Sequence, residues 1–276
     1  MSQTLEFVYF GTPAVARETL TALIDAGFSP VLVVTAPDAP KGRHLTLTPS
    51  PVKELALERG IPVMTPEKLD AEAIEAIHKK SCDYALVVAY GKIFPEALIK
   101  GFPKGVLNVH YSLLPKYRGA TPMEGALLTG ETETGVTIQQ MVKELDAGDI
   151  LAQEAASIGE NETARELRPR LIELGARLLV DTLPAFEQGS IEPQPQDASQ
   201  ATFTSRLKKE DGLLDLSGDA RENWNTYRAY ADTIGTYFFE NGKRMKITSA
   251  EFVKGEFCVL RVIPEGKREM PYAPIR

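Results

Sequence analysis

Through the first 110 residues, short apolar runs alternate with amphipathic stretches, and no hairpin signal separates one apolar run from the next. This rhythm constrains the fold more than any other feature. "LEFVYF" (5–10), "PVLVVT" (30–35), "IPVM" (61–64), "DYALVVA" (83–89) and "GVLNVH" (105–110) read as buried strands. Between them, "AVARETLTALIDAG" (14–27) places Val15, Leu20, Leu23 and Ile24 on one side and stops at Gly27. Residues 52–59, 70–80 and 95–100 read as further helices. Strands joined through helices can lie side by side only with crossovers, which makes the sheet parallel and covered on both faces.

The predicted fold class is therefore α/β, a doubly wound, mostly parallel, Rossmann-like sheet. From residue 134 the pattern changes. "TGVTIQQM" and "DILAQEAAS" predict an antiparallel pair, and residues 163–189 a single long helix, with Pro169 near its start and Gly189 at its end. Residues 190–204, "SIEPQPQDASQATFT", are rich in Pro, Gln and Ser and read as a linker. A helix near 219–230 and three strand-like runs then suggest a small β-rich unit. The expected division is 1–189, a linker over 190–204, and 205–276.

The chain has 276 residues, 43% hydrophobic and 25% charged, ordinary values for a soluble domain or two. Cys82 and Cys258 are far apart and have no companions at metal-ligand spacing, so buried free thiols and a reducing cytoplasm are expected. No apolar run approaches the ~20 residues of a membrane helix, and "MSQTLEFVYFGTP" lacks the basic leader of a signal peptide. A net charge of −7 excludes a surface that is basic all over. Residues 207–276 nevertheless carry 12 basic against 11 acidic side chains, leaving the acidic excess on the body and allowing a local basic face on the tail.

A parallel sheet binds ligands at the carboxyl ends of its strands. "FGTPAVA" (10–16) sits there, making Gly11, Thr12 and Pro13 candidate ligand contacts. It has one glycine and not the G-x-G-x-x-G set, which disfavours a dinucleotide dehydrogenase and leaves a tight strand-to-helix turn as the alternative. Asn108 and His110, two residues apart at a strand end, share one face. An amide donor beside an imidazole suits a developing oxyanion, and a buried polar pair satisfying loop backbone is the competing reading. "ELDAGDIL" (144–151) offers Asp146 and Asp149 in a turn, and one of these carboxylates could hold His110 charged. His78 reads as an exposed helix end. The loop over 36–51 is long for this architecture; it carries Lys41, Arg43 and His44 and could contact an anionic partner. No spacing of His, Cys or acid suggests a metal site.

Taken together, "FGTPAVA", "APDAPKGRHLTLTPSPVKELA" (36–56), "VVAYGKIFP" (87–95), "NVHYSLLPKYRGATP" (108–122), "TGVTIQQMVKELDAGDIL" (134–151) and "SRLKKEDGLLDL" (205–216) resemble the folate-dependent formyltransferase family. Within it they are most similar to the branch that acts on methionyl initiator tRNA. The resemblance implies Asn108, His110 and Asp146 as the catalytic set and 10-formyltetrahydrofolate as donor. It places the pterin against Val88, Ala89, Tyr90 and Gly91, beside Ser112, Leu113, Leu114 and Pro115. It implies that methionyl initiator tRNA is the partner, met by Gly11, Thr12, Pro13, Lys41 and Arg43. A protonated His110, kept cationic by Asp146, would share the oxyanion with Asn108, without metal. A monomer is expected.

Only about 70 residues follow the junction, so an OB-like C-terminal barrel is expected to be incomplete. That shortness keeps a second acceptor in view, a nucleotide-linked amino sugar. A hydrolase releasing formate and a catalytically silent tRNA-binding module are the remaining alternatives.

Overall fold

The computed structural model describes residues 6–42 and 45–273. Arg43 and His44 lie outside the described residues. In chain order the N-terminal part comprises β1 (Phe7–Gly11), α1 (Ala14–Asp25), β2 (Leu32–Val34), β3 (Ala39–Lys41), β4 (Thr46–Thr48), α2 (Pro51–Glu58), β5 (Val63–Met64), α3 (Ala71–His78), β6 (Tyr84–Val88), α4 (Glu96–Lys100) and β7 (Val106–His110). It continues through β8 (Arg118–Gly119), α5 (Pro122–Leu128), β9 (Glu133–Gln140), β10 (Ile150–Ser157) and α6 (Ala164–Glu187). The remainder holds β11 (Phe203–Thr204), α7 (Ala220–Tyr230), β12 (Thr236–Glu240), β13 (Lys243–Val253), β14 (Glu256–Pro264) and β15 (Met270–Pro271).

Seven strands form one sheet in the order β10-β9-β7-β6-β1-β2-β5. The five strands from β7 to β5 are parallel; β9 is antiparallel to β7 and β10 to β9. Alternate residues face opposite layers. Tyr9, Leu86, Val88, Leu107 and Val109 pack with residues of α1, α2 and α6, while Val8, Phe10, Ala85, Val87 and Val106 pack with residues of α3 and α4. Fully burying one such side chain contributes about 1.5–3 kcal/mol. The strand order reverses between β1 and β6, the switch point where this architecture opens a crevice.

Gly11 shows why the first turn is glycine. A Cβ there would stand 2.6 Å from the Ala16 Cβ and 3.0 Å from the Val88 carbonyl oxygen. Close packing of α1 on the sheet demands it. α6 survives both Pro169 and Pro184 because Leu167, Leu171, Leu179 and Leu183 on one face are buried against the sheet. His78, expected at an exposed helix end, is half-buried: its ring meets Phe102 edge-on and its Nε2 lies 3.2 Å from the Leu98 carbonyl. No helix among the described residues is long and apolar enough to cross a membrane.

Residues 190–204 do not run free. Gln194 bridges to Ile150 of β10, and β11 pairs in parallel with β8. Beyond them, β12, β13, β14 and β15 form an antiparallel sheet with β12 and β15 as its edges, so the four strands form an open sheet among the described residues. Leu214, Trp224, Tyr227, Phe238, Met245, Ile247 and Val262 make its core. α7 serves both bodies, because its Ala229 and Tyr230 belong to the core of the large sheet. The buried Arg228 donates to the Leu127 carbonyl at 3.3 Å and to the Asn225 side chain at 3.1 Å.

Candidate active site

At the carboxyl end of β7, Asn108 lies between Val87 on β6 and Gln139 on β9, and His110 pairs with Thr137. Period-2 geometry puts both side chains on the face that packs with α3 and α4. On β7 that apolar layer reaches Val106 and goes no further. Asn108, one step beyond, is half-buried, and its amide makes no hydrogen bond to protein among the described residues.

His110 is buried. Its Nε2 lies 2.9 Å from the Tyr117 carbonyl oxygen, which can only accept, so the proton sits on Nε2. Its Nδ1 faces Asp146 Oδ2 at 3.8 Å, too far for a direct hydrogen bond. Burial pushes the His110 pKa below its ordinary 6.5, against the opposing pull of the Asp146 carboxylate and the Tyr117 carbonyl; the Arg118 guanidinium pushes the same way as burial. The cationic histidine expected from sequence is therefore corrected. In this conformation the imidazole is neutral near pH 7, and Nδ1 presents a lone pair.

Asp146 is held by three hydrogen bonds, two to its carboxylate and one to its backbone carbonyl. Asp146 Oδ2 accepts the Gly119 N–H at 2.8 Å and Oδ1 accepts from Gln139 Nε2 at 2.9 Å. The Asp146 carbonyl accepts from Gln196 Nε2 at 2.9 Å. Asp146, Tyr117 and Ala89 all have positive φ, at 47°, 60° and 46°, a conformation that non-glycine residues adopt at a cost of order 1–3 kcal/mol and that clusters at functional sites.

The loop after β7 differs from its expected part as a ligand wall. Ser112 is fully buried, and its hydroxyl closes the turn onto the Lys116 carbonyl at 2.6 Å. Leu114 is buried too, with its N–H on the Thr137 hydroxyl and its carbonyl on Gln153 Nε2. These two hold the loop, and only Leu113 and Pro115 remain half-buried.

The turn after β6 divides in the same way. The Val88 side chain lies in the core, so only its backbone can meet a ligand. Ala89 and Gly91 are exposed, and Ile93 is 91% exposed. The Tyr90 ring packs edge-on against Phe10 and Phe94; burial pushes its phenol up to about 12, and its hydroxyl has no partner among the described residues. Thr12 links this turn to the next, donating to the Tyr90 carbonyl at 3.4 Å and accepting the Ala36 N–H at 3.3 Å. Gly11 is buried and has a packing role instead of the expected ligand contact; Pro13 and Lys41 are exposed.

Gln139 and Gln196 were not singled out from sequence, and Arg118 carries no sequence-based role beyond holding its loop. Gln139 had a signal, because it follows Thr137 at strand spacing on the inward face. Gln196 had none, because its surroundings have linker composition. A cleft of about 260 Å³ opens between Lys104, Phe186 and Ile191, beside Lys104 just before β7 and so at the opposite end of that strand from Asn108. It holds no comparable set of polar groups, so chemistry and not size selects the β7 corner. Among the described residues no three His, Cys, Asp or Glu side chains converge as a metal set.

Residues 5–183 match the formyl transferase family and residues 206–266 its C-terminal domain. A methionyl-tRNA formyltransferase of Heliobacterium modesticaldum is 44% identical over 88% of this chain and 77% of its own length. One from Geotalea daltonii is 40% identical over 98% of this chain and 86% of its own length. Among solved structures, the N-formyltransferase of Helicobacter canadensis in complex with folinic acid and dTDP-3-aminofucose shares the fold, with a TM-score of 0.70 at 21% identity over 91% of this chain and 89% of that one. HypX of Aquifex aeolicus in complex with tetrahydrofolic acid aligns with a TM-score of 0.65 at 16% identity, over 98% of this chain and 46% of that one. With both of its parts matched, and with relatives this similar along most of its length, the chain belongs to the formyl transferase family.

Proposed function

We propose that the chain transfers the formyl group of 10-formyltetrahydrofolate to the α-amino group of methionyl initiator tRNA, as a cytoplasmic monomer. One observation carries the chemistry: a half-buried amide, Asn108, with no hydrogen-bond partner among the described residues, beside a buried imidazole, His110, whose Nδ1 faces a carboxylate. The acceptor rests on relatives named methionyl-tRNA formyltransferase that this chain matches along most of its length.

The residues at the crevice fit a flat folate donor. The exposed Ala89, Gly91 and Ile93 follow β6, whose Val87 pairs with Asn108, and offer amide edges and an apolar edge at that end of the sheet. When bound, that donor supplies an activated formyl carbon. Asn108 Nδ2 would hold the formyl oxygen and stabilise the negative charge that grows on it as the amine nitrogen bonds to carbon. His110 Nδ1 would take the proton that the amine sheds. The resulting imidazolium would be stabilised on both sides, by the Tyr117 carbonyl at Nε2 and by Asp146 at Nδ1. His110 would then return the proton to the donor nitrogen as its bond to the formyl carbon breaks.

A nucleotide-linked amino sugar is the second reading, favoured by the small open C-terminal sheet and by the sugar-bound fold relative. Incubation with 10-formyltetrahydrofolate and either charged initiator tRNA or a nucleotide-linked amino sugar decides between them. Formyl-methionine formation on tRNA is expected. Turnover of the sugar with none on tRNA would overturn the acceptor assignment. Fast formate release with no acceptor present would identify a hydrolase instead.

A further inference from the structure

Each member of the His110–Asp146 couple is held by a backbone group of one short loop. The Tyr117 carbonyl receives His110 Nε2, and the Gly119 N–H binds Asp146 Oδ2. That loop is fastened by residues 194–204, whose composition reads as a linker. Thr202 accepts the Tyr117 N–H on its hydroxyl at 2.8 Å and the Arg118 N–H on its carbonyl at 2.8 Å. Thr204 donates to the Arg118 carbonyl at 3.3 Å and accepts the Thr121 N–H at 3.2 Å.

Gln196 fastens the other side. It is half-buried, whereas every other residue from 192 to 200 is exposed. Its Oε1 accepts from Arg118 Nε at 3.1 Å and Nη2 at 2.7 Å. Its Nε2 donates to the Asp146 carbonyl at 2.9 Å and the Gly148 carbonyl at 2.6 Å. One primary amide therefore ties the loop that carries the histidine's acceptor to the turn that carries the carboxylate. Arg118 is buried and makes no ion pair among the described residues, so Gln196 is its side-chain acceptor there. Gly119, at φ 116°, is the counterpart: a Cβ there would lie 2.1 Å from the Thr204 carbonyl oxygen, so the strap seats only on glycine.

We propose that residues 194–204 are a positioning strap for the catalytic couple, with Gln196 and Thr202 as its positioning residues. The strap sets the separation of His110 and Asp146 and so sets the strength of the base. The proposal rests on the role given to His110 above. A shift of about 1 Å in a catalytic group can cost on the order of 10²-fold in rate.

The test uses the full chain and four variants, with formyl transfer measured from pH 5 to 8 and folding followed by thermal unfolding. Gln196→Glu keeps the acceptor for Arg118 and loses both donors to the 146–148 turn. It is expected to lower kcat about 10- to 100-fold at unchanged donor KM. Its added carboxylate should also move the acid limb to higher pH, because a nearby negative charge favours the imidazolium. Thr202→Val is expected to lower kcat in the same way, and Thr202→Ser, which restores the hydroxyl, to recover it. Unchanged kcat and an unmoved acid limb in both Gln196→Glu and Thr202→Val, in folded protein, would overturn the strap. A His110→Gln control keeps the two ideas apart: full activity there would overturn the base itself, whereas its loss alongside active strap variants would overturn only the strap.

Discussion

The corner at the end of β7 and the hairpin of β3 and β4 are built on opposite plans. In the corner His110 is buried, and the groups facing it are held by the Gly119 N–H, Gln139 and Gln196. The hairpin projects into solvent. Ala39–Lys41 is exposed along its length, and Leu45 and Leu47 are 71% and 68% exposed. Among the described residues its polar side-chain contacts to the body gather at its base, where the Thr35 and Ser50 hydroxyls meet at 2.7 Å and Lys53 pairs with Asp38 at 2.7 Å. In the proposed roles, groups that must meet a reacting carbon within a fraction of an ångström are fixed in advance, while the segment proposed to meet a large anionic partner is left open to it. Variants in the two regions should therefore separate in kcat and KM.

The largest effects belong to the corner. Asn108→Ala removes the proposed oxyanion donor and is expected to lower kcat by 10²–10³, about 2.7–4 kcal/mol, with the tRNA KM little changed. An equal rise in KM would break the comparison. Asp146→Asn removes the carboxylate's upward pull on His110, so the acid limb of the kcat profile should move to lower pH and the plateau should fall. A limb that stays in place would show that Asp146 does not act through His110.

Stability carries the same signature. His110 titrates below 6.5 when folded, so as pH falls from about 6.5 the unfolded chain takes the proton first. Stability is expected to be full above that value and to decline as pH falls through the folded pKa. In urea titrations from pH 7 to 5, His110→Gln should flatten the decline.

The hairpin effects are smaller. Lys41→Ala and Arg43→Ala are each expected to raise the tRNA KM several-fold and leave formyl transfer to a small amine analogue intact. If each removes one phosphate contact, the slope of log affinity against log salt should become shallower by about one. Loss of small-amine activity would assign these residues to the corner instead. Least of all, Leu45→Ser with Leu47→Ser should change unfolding free energy by under about 0.5 kcal/mol per site, as expected of exposed positions, when followed by urea titration.

Much of the large sheet was legible in the sequence because its signals are local. Buried parallel strands are continuous apolar runs, and the crossover helices carry their own periodicity, as β6 and α1 show. The face shared by Asn108 and His110 followed from spacing alone. The charge of His110 was not legible, because it depends on burial under the 112–119 loop, which a carboxylate motif does not reveal. Ser112 and Leu114 were read as a wall because a motif gives order along the chain and not direction; hydrogen bonds to Thr137 and Gln153 turn them inward. The strap was hidden for a related reason. Proline, glutamine and serine look the same to composition whether their amides face water or, like Gln196, bridge two loops.

The most direct test of the central claim is the single-turnover rate of formyl transfer to charged initiator tRNA, measured from pH 5 to 8 for the unaltered chain and for His110→Gln. The unaltered chain is predicted to gain rate along one limb below pH 6.5 and then level off, with the variant 10²–10³ slower and flat. A variant that keeps the rate, or that is slowed but retains the same limb, would contradict His110 as the group that takes the amine's proton.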